Sequence, residues 1–294
     1  MKSGFVSIVG RPNVGKSTLI NNLIGTKVAI VSNKPQTTRN NIKGIYHEKD
    51  CEIVFIDTPG IHKPNHKLGQ CLNRQAYYSF EDSDAILFLV DATKSLGQGD
   101  KFILEKLDSI KKPVILVINK IDKLSKEQIM EKIIEYKDLY NFDEIVPVSA
   151  LKKRNTKELL KVIKKYLKDE IKYYNDDDIT DKSLKFLIAE IVREKVFNLT
   201  SEEVPHSITC VVEHMEKNKN NYVINVTIIV DRDSLKKIVL GKNGQKIKKI
   251  GTLARYDIEQ MLNKKVYLDL FVKTVKKWRD KEKYLSDFGF NEIE

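Results

Sequence analysis

The chain has 294 residues, 41% of them hydrophobic and 32% charged, which fits a globular protein with room for about two domains and excludes disorder and a collagen-like fibre. The longest apolar stretch, Ala85 to Val90, is far short of the roughly 18 residues of a membrane-spanning helix, and the opening MKSGFVSIVGRPNVGKS meets Gly, Arg and Pro too early for a secretory leader, so a cytoplasmic protein is expected. Lys plus Arg outnumber Asp plus Glu by 52 to 41, a net charge of +11 whose placement along the chain carries more information than its size.

Through the first half, short β-rich runs (FVSIV, CEIVFID, AILFLVD, PVILVIN, EIVPVS) alternate with helical patterns such as KSTLINNLI and KFILEKLDSI. Strands this continuously apolar are buried on both faces, so an α/β domain with a mostly parallel sheet and helices on both sides is expected. The run GIYHEKDCEIVF reads as a hairpin with His47 to Asp50 at its tip, which makes one edge strand antiparallel. A helix from Thr156 to Glu170 closes this domain (residues 1–170), and the acidic, turn-forming stretch 171–182 reads as a linker to a second domain over 183–294.

The first strand runs into GRPNVGKS, which matches GxxxxGK[ST] in the strand-loop-helix setting that a phosphate loop requires. Its glycines let backbone amides curl around an anion, Lys16 neutralises phosphate oxygens, and the Ser17 hydroxyl is a magnesium ligand. Gly10, Asn13, Val14, Gly15, Lys16, Ser17 and Thr18 are therefore candidate nucleotide contacts. Asp57-Thr-Pro-Gly60 ends the strand CEIVFI, where a carboxylate can reach the metal and the Gly60 amide can meet a γ-phosphate. Asn119-Lys120-Ile-Asp122 ends the strand PVILVI, and an Asp there accepts from N1 and the 2-amino group of guanine, donors that adenine lacks. Ser149-Ala150-Leu151, after EIVPV, fits a short backbone contact to the same base.

The second half runs in the order α-β-β-α-α-β. Residues 171–233 carry 8 basic and 12 acidic side chains, whereas 234–283 carry 15 and 5, the footprint of a polyanion-binding surface. Gly241-Lys242-Asn243-Gly244 joins two helices, and Lys236, Lys237, Lys246, Lys248, Lys249 and Arg255 surround it with no acid between Ser234 and Tyr256. A GxxG turn of this kind brings amides and a helix N-terminus to a sugar-phosphate strand, the KH arrangement. Lys237, Gly241, Lys242, Asn243, Gly244, Lys246, Lys248 and Lys249 are the candidate RNA contacts, while Ile238, Val239, Ile247 and Ile250 line the apolar groove or support it from the core. The tail Lys273 to Lys283 adds a basic patch around Trp278, which either packs on the domain or offers its ring to RNA or anionic lipid. Cys51, Cys71 and Cys210 form no CxxC and are expected to be ordinary thiols without a disulfide partner, in a monomer.

Together GRPNVGKS, DTPG, NKID and SAL resemble the translation-factor-related GTPases, and GRPNVGKST with Gln36-Thr-Thr-Arg39 and the appended α-β-β-α-α-β unit resembles the Era family of ribosome-assembly GTPases over essentially the whole chain. The resemblance implies a P-loop GTPase domain followed by a type II KH domain, with GTP or GDP and Mg2+ as ligands and the 3′ end of 16S rRNA on the small ribosomal subunit as partner. It places a first switch at Ser32 to Asn41, where Thr38, with Thr37 close behind, closes on magnesium (with Ser17 and Asp57) and the γ-phosphate. Lys16, Thr38, Gly60 and Asn13 are then the residues expected to act in hydrolysis. Gly60 is followed by Ile61, which can hold no attacking water, so intrinsic hydrolysis is expected to be slow. His62 is a weaker candidate base, and Asn13, as in related GTPases, is expected to help hold a potassium ion beside the phosphates. The competing readings are a membrane-associated signalling GTPase, peripheral on the inner face of the cell membrane, and a non-catalytic RNA-binding adaptor.

Overall fold

The computed structural model describes residues 1–290 except 33, 35, 36, 62, 63, 65 and 202, so the expectations for Gln36 and His62 lie outside the described residues. The chain divides into two units, residues 1–64 with 69–181 and residues 65–68 with 182–294.

In the first unit β1 (Lys2–Val9), β2 (Ile42–Glu48), β3 (Cys51–Asp57), β4 (Ala85–Asp91), β5 (Val114–Asn119) and β6 (Glu144–Pro147) form one sheet in the order β2-β3-β1-β4-β5-β6. Every pairing is parallel except β2 with β3, the expected hairpin, whose turn is only Lys49-Asp50. Alternate side chains of each central strand enter opposite cores. Leu87 and Leu89 of β4, with Ile115 and Val117 of β5, pack with Leu19 and Ile20 of α1 (Lys16–Ile24) and Leu159 of α5 (Thr156–Ile163). Their neighbours Ile86, Phe88, Leu116 and Ile118 pack with Phe80 of α2 (Lys67–Glu81), Ile103 of α3 (Gln98–Leu107) and Tyr136 of α4 (Lys126–Lys137).

The closing helix is shorter than the expected Thr156–Glu170. Helical spacing of apolar residues continues through buried Leu167, but the backbone of Asp169 pairs with Ser3, at 2.8 and 3.2 Å, and this pairing replaces the last helical turns. The stretch read as a linker then lies along the outer edge of β2. The Ile45 amide donates to Ile179 O (3.0 Å), that of Lys43 to Asp181 Oδ1 (3.1 Å), and the amides of Tyr173 and Tyr174 to the buried Glu52 carboxylate (2.8 and 3.3 Å). An edge strand that would present bare amides is thus covered.

In the second unit α6 (Leu184–Leu199), β7 (Ile208–Lys217), β8 (Asn221–Val230), α7 (Asp233–Leu240), α8 (Gln245–Leu262) and β9 (Lys265–Thr274) follow the expected α-β-β-α-α-β order. β8 is central, antiparallel to β7 and parallel to β9. Its inward residues Ile224, Val226, Ile228 and Val230 meet Val192 and Val196 of α6, Leu235 and Val239 of α7, and Ile250, Ala254 and Ile258 of α8. Among the described residues no helix is long and apolar enough to cross a membrane.

The tail folds back on this unit in a short helix, α9 (Glu282–Asp287), and the packing reading of Trp278 holds. Its indole is fully buried, stacks on Phe290 (ring centroids 5.8 Å apart), meets the edge of Phe288 (5.7 Å) and donates from Nε1 to Ser207 O (3.2 Å). Trp278→Ala is expected to cost about 3–5 kcal/mol, read as an earlier urea transition of the second unit by circular dichroism, while Lys276→Ala stays within about 0.5 kcal/mol.

Candidate functional site

The ends of β1, β3 and β5 gather at the carboxyl edge of the sheet, where open α/β folds bind ligands. β1 ends at Val9, and the chain curls through Gly10 to Gly15 into α1. Gly15 has φ +106°, and a Cβ there would stand 2.3 Å from Asn119 Nδ2, so only glycine fits. Asn13 also sits in the left-handed region, at φ 65°. Buried Lys16 donates to Gly10 O (3.1 Å) and Arg11 O (3.3 Å). Burial lowers its pKa to about 8, with the Asp57 charge acting in the opposite sense.

Three of the expected metal ligands converge. The Ser17 hydroxyl donates to Asp57 Oδ2 (2.7 Å) and lies 3.0 Å from Thr38 Oγ1, which donates to the same carboxylate oxygen (3.1 Å). Of the two threonines left open by the sequence, Thr38 joins this cluster, whereas the Thr37 hydroxyl donates to Lys34 O (2.6 Å). Burial pushes the Asp57 carboxyl upward, opposed by Lys16, Ser17 and Thr38. Its Oδ1 is buried with no hydrogen-bond partner among the described residues. Two hydroxyls and a carboxylate with an unused buried oxygen fit a hard cation such as Mg2+. At Gly60 a Cβ would lie 3.1 Å from Pro12 Cγ, which keeps this turn against the phosphate loop, and the neighbouring Ile61 is buried in the core.

On the base side, Asn119 is a brace. Its Nδ2 donates to Val14 O (2.8 Å) and its Oδ1 accepts from the Ala150 amide (2.9 Å), so both polar ends are used to tie the phosphate loop to the Ser149–Leu151 turn. Lys120 reaches across to Asn13 O (2.8 Å) and Asp91 Oδ2 (2.6 Å). Burial would raise the Asp91 carboxyl, but hydrogen bonds from Lys120 and Thr93 outweigh it and hold it below the usual range. The Ser149 hydroxyl donates to Asp122 Oδ1 and accepts from the Lys152 amide (3.1 Å), fixing the carboxylate at the cleft. Asn13, Val14, Gly15, Thr18, Lys120 and Asp122 are among the residues lining this cleft of about 620 Å³, with exposed Leu151 at its rim. Sequence reasoning missed Asp91 and Asn22, whose side chain donates to Ala150 O. Asp91 carried a usable signal, since it ends an apolar strand as Asp57 does.

In the second unit GKNG forms the tight link between α7 and α8. Gly241, Asn243 and Gly244 all have positive φ (71°, 50° and 72°), and a Cβ on Gly241 would stand 2.6 Å from Lys246 Cβ. Lys237, Lys242, Lys248 and Lys249 are exposed and Lys246 is half-buried. The four candidate groove residues now separate. Val239 and Ile250 are core, Ile238 is exposed, and Ile247 lines a groove of about 430 Å³ with Lys248, Gly251, Thr252, Arg255, Leu268 and Leu270. Leu268 and Leu270 went unread in the sequence, although their alternation along β9 places them on one face.

A family model described as a 50S ribosome-binding GTPase matches residues 5–120, and a KH domain model matches residues 203–279. A variant of Aquifex aeolicus Era bound to GDP·AlF4− is 45% identical, with 99% of each chain covered and a TM-score of 0.95. The chain belongs to the Era family of GTPases. A second Era structure, in complex with MgGDPNP and nucleotides 1506–1542 of 16S ribosomal RNA, matches with the same identity, coverage and TM-score. The P-loop GTPase domain and the KH domain of the Era family are therefore both present in this chain. Asp122→Asn would replace an acceptor pair by an amide that complements xanthine, with its 2-oxo group, better than guanine. Affinity for GDP is expected to fall about 100-fold or more, and that for XDP to rise above it, in a competition titration with both nucleotides.

Proposed function

We propose that the first unit of this Era-family GTPase binds and hydrolyses Mg-GTP while the second holds single-stranded RNA at the 3′ end of 16S rRNA, and that the protein serves small-subunit assembly as a nucleotide-set switch. One observation carries the reading: a GKNG turn and a groove lined by Ile247, Leu268 and Leu270 together with Lys248 and Arg255 stand in the same chain as the phosphate-loop and NKID residues, and a relative 45% identical over 99% of the chain carries MgGDPNP and 16S RNA together. Ser17, Thr38 and Asp57 would hold the magnesium, which neutralises charge on the terminal phosphates. Lys16 supplies the second positive charge there, Thr38 and Gly60 sense the γ-phosphate, and Asp122 reads guanine.

Hydrolysis has no glutamine after Gly60, and buried Ile61 offers no polar group in its place. We therefore assign to Asn13, in its left-handed turn, the support of a potassium ion beside the phosphates. This reading puts the protein at work in the cytoplasm. A peripheral contact with anionic lipid through Lys273 to Lys283 is the lesser use of the tail, since the buried Trp278 offers no ring for insertion.

Lys16→Ala is expected to slow phosphate release from GTP about 100-fold or more, and wild-type rates should be higher in potassium chloride than in sodium chloride, a difference that Asn13→Ala removes. Binding of a 16S 3′-end oligonucleotide should differ between the GDPNP and GDP forms, and replacing Lys242 and Lys246 together with Ala should lower the slope of log affinity against log salt by about 1.4. Equal RNA affinity in both nucleotide states would refute the switch.

A further inference from the structure

We propose that Arg11, at a position the phosphate-loop pattern leaves open, is a positioning residue that fixes the loop to the start of α3 through the buried carboxylate of Asp100. The inference rests on the guanine-nucleotide site described above. Arg11 Nε lies 2.9 Å from Asp100 Oδ1, and its Nη2 donates to Ser95 O (3.2 Å). Asp100 is fully buried, and its other oxygen accepts from the Gly97 amide (3.0 Å) and from the Tyr136 hydroxyl (3.4 Å), so the acceptor is itself held in place. The planar guanidinium makes an ion pair with the Asp100 carboxylate while its Nη2 donates to Ser95 O, a two-point contact that a compact ammonium is not shaped to make.

The path of the side chain is cleared by two glycines. A Cβ on Gly97 would stand 2.5 Å from Arg11 Nη1, and one on Gly99 would stand 2.9 Å from Arg11 Cδ. Gly97 has ordinary extended backbone, φ −117° and ψ 167°, so its glycine is explained by the approach of Arg11 and by no strain of its own. At its other end Arg11 belongs to the working part of the loop. Its carbonyl accepts from Lys16, and it leads through Pro12 into the left-handed Asn13, whose carbonyl accepts from Lys120. Asp91, which also pairs with Lys120, lies nine residues before Asp100, so the segment 91–100 braces the phosphate loop and the base loop together.

A brace of this kind sets how tightly nucleotide is held, without touching the reacting phosphate. It should act on ground and transition states alike, moving KM and release rates but leaving kcat in place. In stopped-flow release of fluorescent mant-GDP from the full chain, Arg11→Ala and Asp100→Asn are each expected to speed release about tenfold, because the first leaves the buried Asp100 carboxylate unpaired and the second removes the charge that holds the partly exposed guanidinium in place. KM for GTP should rise in parallel with kcat within about twofold. Gly97→Ala, which displaces the guanidinium while keeping both charges, should shift release in the same direction, and the double variant Arg11→Ala/Asp100→Asn should release no faster than Arg11→Ala alone. Wild-type release by Arg11→Ala or Gly97→Ala, or additive effects in the double variant, would overturn the proposal. So would a lower kcat at unchanged KM and release, the signature of fewer folded molecules. Failure of the wild-type chain to bind mant-GDP would instead sink the nucleotide reading on which the proposal stands.

Discussion

The nucleotide half of the molecule turns on one buried carboxylate. Asp57 has no exposure to water, and burying an ionised carboxylate is costly unless charge and hydrogen bonds replace its hydration. Ser17, Thr38 and the nearby Lys16 supply part of that replacement, and among the described residues one oxygen has no hydrogen-bond partner. A divalent cation bound there would complete the set. Because Thr38 belongs to the loop that follows α1 whereas Ser17 lies at the start of α1 and Asp57 ends β3, the electrostatic need of a single carboxylate draws three separate segments to one point.

What keeps that need local is the frame around it. The central strands are apolar on both faces, so they cannot move without opening two cores at once, and their carboxyl ends stay fixed. Asn119 and Lys120 use this rigidity to join the phosphate loop to the turns after β4, β5 and β6, and Arg11 joins it to α3. The second unit repeats the logic with simpler means. β8 anchors one core, and the GKNG turn gains its shape from two glycines and an asparagine at positive φ, leaving exposed Lys242 to carry charge outward.

Much of this was legible from the residues alone, for identifiable reasons. Doubly buried strands announce themselves as unbroken apolar runs, and phosphate chemistry restricts which residues can follow them, so the α/β frame, the phosphate loop, Asp57 and Asp122 could all be placed. The KH order and its GxxG turn were readable on the same grounds. Tertiary competition was not. Helical spacing continues past Ile163, yet the backbone of Asp169 is taken by Ser3; Trp278 lies among lysines but its indole finds Ser207 O and two phenylalanine rings. Thr37 and Thr38 are chemically alike, and only the fold separates the hydroxyl that meets Asp57 from the one that turns back to Lys34.

The strip of backbone from Tyr173 to Asp181 that runs beside β2 has a consequence for biosynthesis. The amides of Lys43 and Ile45 are made early, but the groups that receive them, Ile179 O and the Asp181 carboxylate, are added well over a hundred residues later. Until a nascent chain has grown past that point, the outermost strand of its sheet stays open to any extended polypeptide nearby. At the opposite flank, β6 is only four residues long and ends in Pro147, so that side is short from the start. Vulnerability to intermolecular strand exchange is therefore concentrated on one flank and in one window of translation, which closes when the polypeptide seals its own border.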